Sequence, residues 1–99
     1  MPLKIGSISL DVPFFQAALS GYSDLAMREL ACRFGAPLTF NGVMIDTLAM
    51  HPSVIKKHGF TPAHDRHPVG AQLVGTEPKM MSAAAKLLFD VGYDLIDLN

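Results

Sequence analysis

Only one cysteine, Cys32, occurs in the sequence, so no disulfide can form within the chain and a reducing, cytoplasmic setting is expected. Tryptophan is absent, and charged residues make up 17%, below the ~25% usual for globular domains. Much of the surface is therefore expected to be covered. No run approaches the ~18 apolar residues of a membrane span, and the opening MPLKIGSISLDVP lacks the continuous apolar core of a signal peptide. No membrane partner is expected. Neither sign of charge dominates: the net charge is −1 and the pI near 6.4, so composition carries no basic footprint for nucleic acid. What remains is a globular composition, 49% hydrophobic over 99 residues, enough for one small domain.

The most regular stretch is Val69 to Asn99, VGAQLVGTEPKMMSAAAKLLFDVGYDLIDLN. Val69 to Val74 is an apolar run of strand length, as for a strand covered on both faces. Gly75 turns the chain, Thr76 suits an N-cap, and Glu77 and Pro78 suit a first helical turn. Met81, Ala84, Ala85 and Leu88 recur at helical spacing, with Lys79, Lys86 and Asp90 off that face. Gly92 stands where a left-handed C-cap glycine is wanted, and Tyr93 to Leu98 reads as the next strand. The spacing predicts a β-α-β unit with parallel strands.

The earlier chain follows the same rhythm. Leu3 to Val12 alternates around Gly6-Ser7 like a small hairpin. Pro13 opens an expected strand at Phe14 to Leu19, and Ser23 or Asp24 can cap a helix from Leu25 to Phe34. That helix is expected to turn Leu25, Met27, Leu30, Ala31 and Phe34 to the core. A second strand is predicted over Leu38 to Met44, then short helical pieces at Leu48 to Met50 and Ser53 to His58. Gly59 to His67 is a turn-rich connection.

Four strands alternating with helices leave two α/β architectures, a doubly wound sheet or a (β/α)8 TIM barrel. A hairpin ahead of the first strand can plug a barrel mouth, and Ser20-Gly21-Tyr22-Ser23 is not a G-x-G-x-x-G dinucleotide loop, which favours the barrel. Such barrels run to about 250 residues. Residues 1–99 are thus expected to be the N-terminal half, about four β/α units, and the ending at a bare strand tip, Asn99, is expected to mark the front part of a longer protein.

Uncharged amides interrupt the expected strands: Gln16, Asn41, Gln72 and Asn99. A buried amide without partners costs about 1–3 kcal/mol, so each needs a reason. Either they bond to neighbouring strands, or those at the C-terminal strand ends, Gln72 and Asn99 first, face a neutral heterocycle such as a flavin or a pyrimidine.

The segments FFQAALSGYSDLAMREL, RFGAPLTFNGVM, PVGAQLVGTEP and GYDLIDLN together resemble the first half of the tRNA-dihydrouridine synthase family, over about Val12 to Asn99. The most specific pieces are G-Y-S-D-x-x-x-R-E-L, A-Q-L-x-G-x-x-P and D-L-I-D-L-N. The resemblance implies a TIM-barrel oxidoreductase that uses FMN, reduced by NADPH, to convert uridine in tRNA to dihydrouridine. It also implies FMN contacts at Ala18, Leu19, Ser20 and Gln72 and a substrate-base contact at Asn99. The family usually writes Pro-Met-Ala or Pro-Met-Glu where this chain has Ala18-Leu19-Ser20, and often Glu-Met where it has Gly42-Val43. The family's catalytic cysteine follows the fourth-strand asparagine, so no catalytic residue is expected within this chain, and the piece alone is expected to be inactive. Two other functions stay open: a flavin barrel acting on a free pyrimidine, of the dihydroorotate dehydrogenase kind, and a non-catalytic barrel used for binding.

Other candidates are expected to be structural. His51, His58, His64 and His67 offer only the His64-x-x-His67 spacing, so a solvated loop and no metal site is expected. Arg28-Glu29 reads as an exposed or rim pair, Lys56-Lys57-His58 and Arg66-His67 as solvated faces in preference to contacts with RNA phosphates, and Cys32 as a packing thiol.

Overall fold

The β-α-β unit forms where the sequence pattern puts it. The computed structural model describes residues 2–57 and 59–99, so His58 lies outside the described residues. In chain order these contain β1 (Leu3–Ile5), β2 (Ile8–Leu10), α1 (Leu25–Arg33), β3 (Thr39–Ile45), α2 (Asp46–Ala49), α3 (Pro52–Lys57), β4 (Val69–Val74), α4 (Pro78–Asp90) and β5 (Leu95–Leu98). Strands β3, β4 and β5 lie side by side in that order, all parallel, and β1 and β2 form the antiparallel hairpin.

Helix α4 ends as its glycine requires. Gly92 has φ +119, its N–H bonds the Phe89 carbonyl at 3.0 Å, and the Tyr93 N–H reaches back to Leu88 at 3.2 Å. This is the paired closure that a left-handed residue after a helix permits. The start differs from expectation. Glu77, not Thr76, is the N-cap, with no side-chain cap bond, and Pro78 opens the helix. A proline there brings no N–H, so one fewer free donor asks for a cap.

The two faces of the sheet have different covers. Val69, Ala71 and Leu73 of β4 point one way, into a buried cluster with Met44, Ile55, Ala84, Leu88 and Tyr93. That is the helix-covered face. On the other face Leu10, Leu38 and Phe40 form a second buried cluster with the hairpin's Leu3, Ile5 and Ile8, and with Ala18 and Leu95. Phe40 is the register partner of Gly70, where a Cβ would fall within the Phe40 ring, so only glycine admits this contact. The hairpin thus covers the N-terminal strand ends. Farther along the same face Val43, Gln72 and Asp97 form one cross-strand row, and Asp97 is exposed.

Three further expectations are corrected. Phe14 to Leu19 is not a strand, so the parallel sheet has three strands rather than four. The segment runs beside β3, but its link there is one backbone bond, Gln16 N–H to Leu38 O at 3.1 Å, with the Gln16 side-chain Oε1 taking the Phe40 N–H at 3.3 Å. A side chain has replaced the next rung of a ladder, which ends the regular pairing. Helix α1 is capped by Asp24, whose carboxylate accepts the Met27 N–H at 2.8 Å, but it does not turn the predicted face inward. Leu25, Leu30 and Phe34 are 42%, 53% and 88% exposed, and the buried residue of the helix is Arg28.

The third correction concerns the Arg28-Glu29 pair and explains the second. Arg28 Nε and Nη2 grip Asp65 at 2.5 and 3.0 Å, and Nη1 donates to the Ser23 carbonyl at 2.6 Å. Both side chains of this ion pair are 2% exposed. A planar guanidinium meets a carboxylate bidentately, so the pair sets the rotation of α1 against the 59–68 connection. Glu29 instead bonds Arg66 at 2.8 Å, and that bond lowers its pKa. Among the described residues no helix is long and apolar enough to cross a membrane.

Tyr93 ties the layers together. It is 2% exposed, its hydroxyl donates to the Phe60 carbonyl, and it accepts from Asn41 Nδ2 at 2.8 Å. Burial pushes its pKa up to about 12, with the Asn41 hydrogen bond pulling the other way. A folded pKa above the unfolded ~10 means the neutral phenol's contribution is intact below pH ~10 and is lost as pH rises toward ~12, about 2–3 kcal/mol in all. Urea midpoints should therefore fall across that window in the wild type and flatten in Tyr93→Phe. Parallel profiles for the two proteins would contradict this account.

Candidate functional site at the C-terminal strand ends

The row Val43-Gln72-Asp97 and the residue Asn99 occupy the C-terminal part of the sheet face that the hairpin leaves open. Period-two alternation along β4 sends Leu73 to the helices and Gln72 to the opposite face. Gln72 Nε2 donates to Asp97 Oδ2 at 2.6 Å, and Asn99 Nδ2 donates to Gln72 Oε1 at 3.3 Å. The Asn99 backbone N–H bonds the Leu73 carbonyl at 2.8 Å, which fixes it to the end of β4. Of the four amides, then, Gln72 and Asn99 come together. Gln16 and Asn41 have structural partners: Gln16 lies 3.4 Å from Ser23 Oγ and meets Phe40, and Asn41 is buried between Tyr93 and the Gly42 N–H, 2.7 Å from Oδ1.

Asn41 and Gly42 stand where the β3–β4 register shifts, between Phe40 and Val43. The extra residue of such a bulge re-aims its neighbours. Here it sends Asn41 to Tyr93 and leaves Val43 level with Gln72. Gly42 faces the turn after residue 18: a Cβ there would lie 3.5 Å from the Leu19 carbonyl and 3.7 Å from Ser20 Cα. The turn itself is closed by Ser23, whose hydroxyl accepts the Leu19 N–H at 2.5 Å and donates to the Leu19 carbonyl at 3.0 Å.

Two cavities adjoin this turn. One, about 390 Å³, is walled mainly by apolar side chains, among them Ile45, Leu48, Ile55 and Val74. The other, about 380 Å³, lies over Gly21 to Leu25, Asn41 and Gly42. Ser20, Val43 and Phe60 line both. Among the residues the sequence marks, Ser20 therefore borders the cavities, Leu19 contributes backbone to the turn, and Ala18 packs into the hairpin cluster. Gln72 and Asn99 stand on the sheet beside Val43, outside both cavity walls. Asp97 was not marked by the sequence, where it reads as ordinary alternation. The signal was its parity with Gln72 across a parallel ladder.

Gly75, at the β4–α4 turn, lets α2 close over the strand ends. A Cβ there would overlap the buried Asp46 carboxylate and lie 2.6 Å from Met81 Sδ. Gly75→Ala is expected to destabilise by about 1–3 kcal/mol through overpacking. A thermal midpoint equal to wild type would show that this corner can relax.

Cys32 is half-buried, and burial pushes its thiol pKa up, which disfavours the reactive thiolate. His67 Nδ1 sits 2.6 Å from Asp94 Oδ2, which also takes the Val69 N–H at 2.8 Å. Among the described residues no three His, Cys, Asp or Glu side chains are grouped to hold a metal.

The sequence pattern described as dihydrouridine synthase (Dus) matches residues 15–99. The chain is 34% identical over 101 residues to a probable tRNA-dihydrouridine synthase of Rhodobacter capsulatus, covering 100% of this chain and 31% of that protein. A probable tRNA-dihydrouridine synthase of Rhizobium leguminosarum bv. phaseoli is 40% identical over 88 residues, which cover 84% of this chain and 26% of that protein. The tRNA-dihydrouridine synthase B of Xanthomonas axonopodis pv. citri is 30% identical over 97 residues, 98% of this chain and 29% of that one. This chain therefore spans less than a third of the length of each of these relatives. No solved structure matches it significantly. The family match takes in the turn at Leu19–Ser23, the bulged β3 and the Gln72–Asp97–Asn99 row alike: the chain belongs to the dihydrouridine synthase family.

Proposed function

We propose that residues 1–99 form the N-terminal part of a (β/α)8 barrel, and that the whole protein is a cytoplasmic tRNA-dihydrouridine synthase that uses FMN and NADPH. One observation carries the reading: two neutral amides, Gln72 and Asn99, meet at the C-terminal ends of parallel strands on the face that the hairpin leaves open. In barrel enzymes that end holds the active site. The similar proteins named tRNA-dihydrouridine synthase supply the substrate class.

The residues present fit a flat ring with carbonyl and N–H edges. After bonding Asp97 and Asn99, Gln72 keeps one N–H to donate, and Asn99 keeps Oδ1 and one N–H. Gln72 would hold the pyrimidine edge of FMN, and Ser20 with the Ala18–Leu19 backbone would border the ring. Asn99 would orient the uracil, which must leave its stack to reach the site. A bound flavin, reduced by NADPH, would supply the hydride for the uracil ring, whose saturation also takes a proton from an acid outside these residues. Orientation and exclusion of water are the part of this chain's residues.

The test is to incubate the full-length protein, FMN and NADPH with tRNA from a strain lacking the gene, and to measure dihydrouridine by mass spectrometry. Dihydrouridine formed in tRNA is the expected result. Turnover of a free pyrimidine with tRNA untouched would replace this reading with a dihydroorotate dehydrogenase-like one. A protein that neither binds flavin nor acts on either substrate would replace it with a binding barrel.

A further inference from the structure

Asp97, like the buried Asp46 that follows β3, differs from three other carboxylates in facing no cation among the described residues. Asp65, Asp90 and Asp94 each face a cation or a histidine: Arg28, Lys86 and His67. Among the described residues, the partner of the Asp97 carboxylate is the Gln72 amide at 2.6 Å. Asp97 is exposed and needs no counter-charge, so the 2.6 Å bond serves to order its partner and not to neutralise a charge.

That ordering works through the shape of an amide. The two ends of a glutamine side chain are nearly identical in size, so only the surrounding hydrogen bonds decide which end is nitrogen. A carboxylate can only accept. Asp97 therefore obliges Gln72 to turn Nε2 toward it and Oε1 away. Oε1 in turn obliges Asn99 to present Nδ2, as the 3.3 Å contact shows. One carboxylate decides the order of donors and acceptors along the whole trio.

We infer that Asp97 is a positioning residue: it sets the hydrogen-bond polarity of Gln72 and, through it, of Asn99, so that the open face receives rings bearing an imide edge. Gln72 then offers an N–H to a ring carbonyl, and Asn99 offers an acceptor beside a donor, the complement of an imide N–H and its adjacent carbonyl. Flavins and uracil both carry such an edge, whereas cytosine has no imide N–H. This inference rests on the flavin reading above and adds the residue that enforces it.

Three variants of the full-length protein test it: Asp97→Asn, Gln72→Glu, and the two combined. Asp97→Asn frees the Gln72 amide to turn either way, and the FMN dissociation constant, read by flavin fluorescence quenching, should rise about tenfold with the thermal midpoint little changed. The double variant exchanges donor and acceptor, restoring the cross-strand hydrogen bond with the amide N–H now on β5 and the accepting carboxylate on β4. Its thermal midpoint should recover relative to Gln72→Glu, but its FMN affinity should not, because a carboxylate at position 72 has no N–H to give. A merely structural bond would be rescued in both readouts. The side-chain amide resonances of Gln72, assigned by their loss in Gln72→Glu, should report the locked amide in wild type and an averaging one in Asp97→Asn, with no flavin present. FMN binding within about twofold of wild type in Asp97→Asn overturns the inference and leaves the flavin reading standing, whereas rescue of binding by the exchange overturns the inference together with the Gln72 contact to FMN. A wild-type protein that binds no flavin overturns both.

Discussion

Arg28→Ala is expected to destabilise the protein by about 3–5 kcal/mol, because it strands a buried carboxylate. Asp65 would keep its 2% exposure and lose both guanidinium contacts, and the Ser23 carbonyl would lose its donor. Against a total stability of about 5–15 kcal/mol for a domain, one substitution would consume much of the margin. Removing the charge pair together is a different experiment. In Arg28→Met with Asp65→Leu no charge is left buried, and exchanging a buried ion pair for apolar groups is often neutral. The double variant should recover most of the loss, short of about 1–3 kcal/mol for the unmet Ser23 carbonyl. Urea unfolding of the full-length protein measures both. A single variant within about 0.5 kcal/mol of wild type would mean that the pair does not set the seat of α1.

The second large effect concerns the two amides separately. Asn99→Ala in the full-length protein should lower kcat/KM for tRNA by about 10²-fold, the order seen when one positioned donor is removed from a reacting centre. Its flavin content should stay at the wild-type level, since the 3.3 Å bond to Gln72 is the longer of the two contacts that Gln72 makes. Gln72→Ala should do the reverse, weakening FMN by about tenfold and lowering turnover only as far as the flavin is lost. If both variants lose flavin alike, the division of labour between the amides is wrong. If neither changes activity, the open face of the sheet is not the site.

Local rules made the second half of the chain legible. In Val69 to Leu98 the apolar run, the helical spacing of Met81, Ala84, Ala85 and Leu88 and the Gly92 stop all lie within a few residues of what they specify, and each matches the structure. The hairpin was readable for the same reason. What could not be read depends on partners far along the chain. Arg28 looked exposed because Asp65, which buries it, is 37 residues away. The role of Asn41 stayed open between a structural bond and the site because Tyr93, its partner, is 52 residues away. Phe14 to Leu19 has the composition of a strand, yet the Gln16 side chain takes the place of a ladder bond. Gln72 and Asn99 were legible as candidates because an amide on an apolar strand is costly unless bonded. Asp97 was not, since a single acid in D-L-I-D-L-N resembles solvent-facing alternation until the register with β4 is known.

Function at this site depends on where Gln72 stands relative to a bound ring, and the structure of the full-length protein with FMN measures it. The predicted result is Gln72 Nε2 within ~3.2 Å of a carbonyl oxygen of the ring, its other N–H still on Asp97, and Asn99 beside the ring's exposed face. FMN bound elsewhere, with the Gln72–Asp97–Asn99 trio turned to solvent or to other protein, would contradict it.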